Sequence, residues 1–136
     1  KMPIETENGA SVVLSGKVSS LSSEWKTCCI DAGGWTFETP MASLAMGSQV
    51  RLRVLARDVS IAVEKPDSIS IRNRLQAEVE EIAAHLSEPA YQLVKLKCPN
   101  GEGRLVSRIL RQSVTELGLH PGSQVWALVK ASAVIM

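Results

Sequence analysis

Along most of this chain apolar and polar residues alternate with the period of a β-strand. Val50, Leu52 and Val54 are interleaved with Arg51 and Arg53, and Val59, Ile61 and Val63 alternate again towards Pro66. Residues 12–18 are rich in β-formers. Residues 25–31 and 35–39 flank Ala32-Gly33-Gly34, a hairpin turn signal. A second hairpin is predicted where residues 91–98 and 104–110 surround Asn100-Gly101-Glu102-Gly103. Residues 125–129 and 133–136 read as closing strands. One short helix is predicted over residues 113–119: Ser113 stands at the cap, Glu116 at the capping-box position, and Gly118 and Pro121 end it.

One segment sets two signals against each other. Leu75, Val79, Ile82 and Leu86 fall at helical spacing, among Ala, Glu and Gln residues that favour a helix. An internal repeat argues for a strand instead. Gly47-Ser48-Gln49-Val50 recurs as Gly122-Ser123-Gln124-Val125, and in the same phase Val54 matches Val129, Ala56 matches Ala131 and Val59 matches Val134. Upstream, Leu14 and Val18 resemble Leu75 and Val79, with a longer stretch between anchors in the second copy. The partner of residues 75–82 is therefore short and β-rich, so residues 75–82 are expected to be a strand. Short strands in two related copies, with one short helix before a closing strand, predict an all-β fold of tandem OB-like small barrels. The expected division is a linker at residues 1–10, a first barrel at 11–66 and a second at 67–136. Each copy alone is small for an independent core, which favours pairing.

Composition narrows the function. Hydrophobic residues make up 45% of the 136, enough for a buried core. The 15 basic and 14 acidic residues leave a formal net charge of +1, and aromatics are only 4%. That balance argues against a nucleic-acid partner, which calls for a basic stripe or stacking platforms. No apolar run approaches a bilayer span. Residues 1–9 are polar, without the apolar centre of a signal peptide, and look like the cut end of a longer protein. The three cysteines, Cys28, Cys29 and Cys98, lack Cys-x-x-Cys spacing and read as packing residues, Cys28 and Cys29 facing opposite ways on a strand. A reducing, cytoplasmic compartment is expected. His85 and His120 stand singly and read as surface or turn residues; Trp25, Trp35 and Trp126 fall within strand patterns and read as core. Adjacent Glu80 and Glu81 point to different sides and form no catalytic dyad. No nucleophile–base set, metal cluster or phosphate-binding Gly-Lys loop is present, so no enzyme is expected in this stretch.

The remaining polar residues are donors without a matching carboxylate. Ser70-Ile71-Arg72-Asn73 opens a strand, Val129-Lys130-Ala131-Ser132 follows another, and Ser113 lies at the expected helix start. Hydroxyls, a guanidinium, an ammonium and exposed backbone N–H groups suit an anion. Taken singly, Arg72 and Lys130 are also what an ordinary solvated surface carries. Residues 67–75, Asp-Ser-Ile-Ser-Ile-Arg-Asn-Arg-Leu, resemble the Ser-x-Arg-Asn-x-Leu opening of molbindin repeats. Residues 113–119, Pro121-Gly122 and Val129-Lys130-Ala131-Ser132 resemble that family's helix–turn–strand ending. Residues 50–60 resemble the segment preceding this motif in ATP-binding subunits of molybdate importers. The chain as a whole is similar to the C-terminal regulatory (TOBE, or paired molbindin) region of such a subunit.

The resemblance implies oxyanion sites at interfaces between repeats, with binding groups on Ser70, Arg72, Ser113, Lys130, the backbone N–H of Ala131, and Ser132 as an extra hydroxyl. It implies molybdate or tungstate as ligand, no cofactor, and no bare metal cation. It also implies a homodimer with sites at its interface, and, in the parent protein, an ATPase domain and a membrane permease at the inner face of the cell membrane. Ligand binding would then inhibit transport. Storage of molybdate and ligand-free dimerisation are the alternatives. The first copy departs from the pattern: Leu55 stands where Lys130 stands, and Ser11 near where Arg72 does. Leu110 occupies a position where molbindins commonly carry Thr. A micromolar site needs about 8 kcal/mol. Charge-assisted hydrogen bonds contribute roughly 1.5–3 kcal/mol each before ordering costs, so about four to six donors must converge. One short motif does not supply that many.

Overall fold

The computed structural model describes residues 10–41 and 43–136; apart from Ala10, the linker expected over residues 1–10 lies outside the described residues. The chain forms β1 (Ser11–Ser22), β2 (Thr27–Ala32), β3 (Trp35–Pro40), β4 (Gln49–Leu55), β5 (Ser60–Ala62), β6 (Asn73–Ala84), β7 (Tyr91–Lys97), β8 (Arg104–Leu110), helix α1 (Arg111–Glu116) and β9 (Gln124–Val129). Turns of 3-10 type follow β4 (Ala56–Asp58) and β9 (Ala131–Ala133). One sheet has the order β3-β2-β1-β4 and the other β5-β9-β6-β7-β8, antiparallel throughout. This is the expected all-β pair of OB-like barrels.

β6 is a strand despite its helix-forming residues. Leu75, Ala77 and Val79 are buried while Gln76 and Glu80 are exposed, the alternation of a sheet with one face on a core. Burial on the sheet decided the matter over local propensity, which is worth only tenths of a kcal/mol per residue.

The repeat is visible bond by bond. Val18 N–H donates to Ser48 C=O (3.0 Å) and Val18 C=O accepts from Gly47 N–H (2.9 Å); Val79 makes the same pair with Ser123 (2.9 Å) and Gly122 (2.8 Å). The Ser48 and Ser123 hydroxyls each accept the backbone N–H three residues earlier, from Ala45 (3.2 Å) and His120 (3.0 Å). Both long strands shift register just after the matched valine, between Val18 and Ser20 and between Val79 and Glu81, which bends them around the core.

The two copies also exchange their ends. β5 is hydrogen-bonded into the second sheet, Ser60 opposite Leu128, while Ile135 returns to bridge Arg53 in the first. Hairpin tips meet as well. Gly33 and Gly34 take the positive φ values, 65° and 98°, that a two-residue turn demands. Gly33 C=O accepts the N–H of Gly103 from the other hairpin at 2.8 Å. The apolar core, with Phe37, Ile30, Leu52, Leu96 and Leu105 among its fully buried members, draws on both copies.

Three sequence expectations are corrected. Residues 133–136 form no closing strand: the 3-10 turn uses Ala131–Ala133, and only Ile135 pairs. α1 begins at Arg111, with Leu110 at the cap position and no side-chain cap bond; Ser113 lies inside it, its C=O accepting Leu117 N–H. The earlier start follows from Arg111 N–H donating to Ala90 C=O at 2.8 Å, which turns the chain as soon as β8 ends. Trp25 is not core but 72% exposed in the β1–β2 turn. His85 takes the turn role of the two expected for it, buried, with its Nδ1 accepting Glu88 N–H at 3.1 Å. Cys28 is buried and Cys29 half-buried, as their alternation predicts.

Candidate functional site

Five of the six candidate residues gather where β6 begins and β9 ends. Asn73 is paired with Val129 across the two strands, so Ser70, Ile71 and Arg72 lead in beside Lys130, Ala131 and Ser132 leading out. Ser70, Arg72, Lys130 and Ser132 are exposed. Ala131 opens the 3-10 turn, so its N–H has no partner within that turn. Its C=O accepts from Val134 N–H (3.3 Å) and lies 3.5 Å from the Thr39 hydroxyl.

Asn73 anchors this strand start. It is 2% exposed, and its amide bonds both backbone groups of Glu38 on β3: Glu38 N–H donates to Oδ1 (2.7 Å) and Nδ2 donates to Glu38 C=O (2.9 Å). The Asn side chain thereby stands in for a strand partner and fastens the first sheet to the second. Arg72 reaches over this clamp, and its Nε donates to Glu38 Oε1 at 2.8 Å. That hydrogen bond first, and the Glu38 charge second, hold the guanidinium pKa above its ordinary value. Trp25 and Thr27 share the cleft with Arg72 and Glu38. Lys130 lies on the other flank, lining a hollow with Arg57, Asp58, Ser60 and Ile71. The Arg72 and Lys130 backbones are thus neighbours, while their side chains line different hollows.

Ser113 is held elsewhere. It sits half-buried on α1, directly after β8. β8 ends with Leu110 opposite Tyr91, and Tyr91 continues past the pairing of Gln92 with Ala84, the last residue of β6. β6 is 12 residues long, up to about 40 Å at roughly 3.3 Å per residue. One chain therefore brings Ser70, Arg72, Lys130, Ala131 and Ser132 to one end of β6 and leaves Ser113 at the other.

The matching corner of the first copy lacks these cations. Ser11, buried, replaces Arg72 and accepts from Arg53 Nε at 3.2 Å. Leu55 replaces Lys130 ahead of the equivalent 3-10 turn. Glu38 and Trp25 were not anticipated as neighbours of the site. Glu38 meets Arg72 across 34 positions of sequence, and no local pattern marks that contact.

Comparison with known proteins gives a consistent picture. The TOBE domain family model matches residues 69–136. The molybdenum import ATP-binding protein ModC of Brucella abortus (strain 2308) is 43% identical over 130 residues, covering 96% of this chain and 35% of that protein. ModC of Pseudomonas fluorescens is 36% identical over 137 residues, covering 98% of this chain and 37% of that protein. The chain thus spans about a third of the length of these curated relatives. A crystal structure of the cytoplasmic molybdate-binding protein ModG, with molybdate bound, superposes with a TM-score of 0.76 at 28% identity, covering 98% of this chain and 97% of that one. With the family model matching half the chain and the whole barrel pair matching a solved relative, this chain belongs to the TOBE domain family.

Proposed function

We propose that this chain is a regulatory domain that binds molybdate or tungstate in the cytoplasm, as part of the ATP-binding subunit of a molybdate importer at the inner face of the membrane. The observation that carries the reading is the end-to-end match with the molybdate-bound ModG chain. ModC relatives along nearly all of the chain support the importer context. The donor set is Ser70, Arg72, Lys130, the Ala131 N–H and Ser132 from one corner, completed by Ser113 from elsewhere.

A tetrahedral dianion accepts hydrogen bonds and donates none. Arg72 and Lys130 supply the two positive charges that neutralise it, and the hydroxyls and the Ala131 N–H supply direction. Because Ser113 lies at the far end of β6, a second copy must bring it to Arg72 and Lys130, so the site belongs to a homodimer interface. Ligand then ties two domains together, and through them holds two attached ATPase subunits in a resting arrangement that inhibits transport. Such coupling requires that the ligand prefer the tied state. The replacement of Arg72 by Ser11 and of Lys130 by Leu55 in the first copy favours a sensor with one site per chain over a storage protein with two.

Calorimetric titration with molybdate, tungstate and sulfate tests this. Expected are about one oxyanion per chain, similar affinities for molybdate and tungstate, and at least a tenfold loss in both Arg72→Ala and Lys130→Ala. Two sites per chain point to storage, no heat to a docking role alone, and unchanged affinity in both variants removes the site assignment.

A further inference from the structure

We infer that Glu38 regulates the oxyanion site by competing with the ligand for the Arg72 guanidinium, so that a dianion binds only by displacing a carboxylate already in place. The inference rests on the reading of Arg72 as an oxyanion donor.

Arg72 is not a free cation waiting for a ligand. Its Nε already donates to Glu38 Oε1 at 2.8 Å, and Glu38 is the more enclosed partner, its side chain 23% exposed against 66% for Arg72. The two are mounted on one clamp. Asn73, next in the chain to Arg72, bonds both the N–H and the C=O of Glu38 through its buried amide. The acid is therefore set in front of the guanidinium by backbone geometry and pairs with little additional ordering cost, unlike two long side chains meeting by chance on a surface.

The chemistry of the ligand makes the two occupants exclusive at the Nε edge. Molybdate carries acceptors only, so it makes no hydrogen bond to a carboxylate and is repelled by it. At equal distance a dianion attracts the guanidinium twice as strongly as a carboxylate does. A saturating dianion therefore wins, and Glu38 lowers affinity without closing the site. Once displaced, Glu38 moves within the cleft it shares with Trp25 and Thr27, which couples occupancy of the site to the β1–β2 turn. At the matching corner of the first copy Ser11 stands in place of Arg72 and is itself the acceptor for Arg53.

The test is a calorimetric double-mutant cycle with molybdate on the whole chain: wild type, Glu38→Gln, Glu38→Ala, Arg72→Ala and Glu38→Gln/Arg72→Ala. Because Asn73 holds only the backbone of Glu38, both side-chain replacements keep the clamp. Glu38→Gln and Glu38→Ala are expected to tighten molybdate binding by about tenfold. In the Arg72→Ala background the same change is expected to give less than about threefold, because the competitor has lost its object. A second readout leaves Glu38 native: the Arg72 Nε–H resonance, fixed by the pair in the free chain, is expected to shift on saturation with molybdate. Equal or weaker binding in both Glu38 variants, an equal gain with and without Arg72, or an unmoved Nε–H resonance overturns the inference. If wild type binds in a manner dependent on Arg72 and Lys130 while Glu38 proves neutral, only the competition falls. If neither wild type nor any variant takes molybdate, the oxyanion reading falls and the competition with it.

Discussion

The contact between the two hairpin tips offers a quantitative check of how the copies are joined. Gly103 is buried, and its N–H donates to Gly33 C=O at 2.8 Å. A Cβ added at Gly103 would lie 2.7 Å from the Gly33 carbonyl oxygen and 3.0 Å from both Gly33 Cα and Trp35 Cζ3. Two of these three atoms are backbone and the third belongs to a 5%-exposed indole anchored by its Nε1 donating to Gln76 C=O at 2.7 Å. None of them yields by a simple rotamer change, so the two tips must separate. Overpacking of this kind costs about 1–3 kcal/mol, and the stretched inter-tip hydrogen bond about 0.5–1.5 kcal/mol more. Loss of glycine freedom in the unfolded chain returns about 0.4–1 kcal/mol. Gly103→Ala is therefore expected to destabilise by roughly 0.5–4 kcal/mol, read by urea unfolding with an unchanged m value. The thermal midpoint should fall by roughly 2–14 °C. A loss below about 0.5 kcal/mol would refute the claim that the tips meet without slack.

Two further outcomes follow from the Asn73–Glu38–Arg72 group. Asn73→Ala strips the partners from a backbone N–H and C=O of β3 and is expected to cost about 2–4 kcal/mol in denaturant unfolding; a change within about 0.5 kcal/mol would show that the clamp holds nothing. The Arg72 guanidinium, raised first by its hydrogen bond to Glu38 and then by that charge, gives a stabilisation that is complete below its unfolded-state pKa and is lost only as pH rises through the folded one. Both values lie far above neutrality, so unfolding midpoints from about pH 7 to pH 10 should show no step that Arg72→Ala removes; such a step would contradict the pairing.

What could be read from the sequence was whatever repeats or acts locally. The Ala32-Gly33-Gly34 turn announces itself because only glycine takes those φ values easily, and β3 duly begins at Trp35. The strand nature of β6 was legible only through its partner copy, since the local propensity of residues 74–86 points to a helix. The start of α1 was misread for the opposite reason. Ser113 has a good capping residue's chemistry, but Ala90, 21 positions upstream, takes the Arg111 N–H and begins the helix sooner. Glu38 went unnoticed because its significance lies in facing Arg72 and Asn73 across two sheets, and nothing in Thr36-Phe37-Glu38-Thr39 sets it apart from an ordinary strand glutamate. The Ser-x-Arg-Asn motif was conspicuous, yet half of what it does, the Asn73 amide bonding Glu38's backbone, appears only in three dimensions.

The same cross-bonds raise the question of whether the second copy, which carries the family match, stands alone. Four ties argue against it. β5, preceding Pro66, is an edge strand of the second sheet beside β9. Ser107, fully buried on β8, donates its hydroxyl to Val59 C=O at 2.5 Å. Trp35 Nε1 bonds Gln76 C=O, and Asn73 bonds Glu38. Cutting at residue 66 leaves the β9 edge open and strips the hydroxyl of Ser107, the amide of Asn73 and one face of the core of their partners. Buried polar groups left unpaired cost about 1–3 kcal/mol each, comparable in sum to the whole stability of a domain this small. A fragment of residues 67–136 is therefore expected to lack cooperative unfolding as a monomer, and to recover it when mixed with a fragment of residues 10–66. Should it fold by multimerising, another copy of the repeat has supplied the missing strand edge and acceptors, which is the same requirement met between chains. A monomeric fragment that unfolds cooperatively near the midpoint of the whole chain would mean that the exchanged ends are ornament, and that the tandem arrangement serves something other than mutual completion.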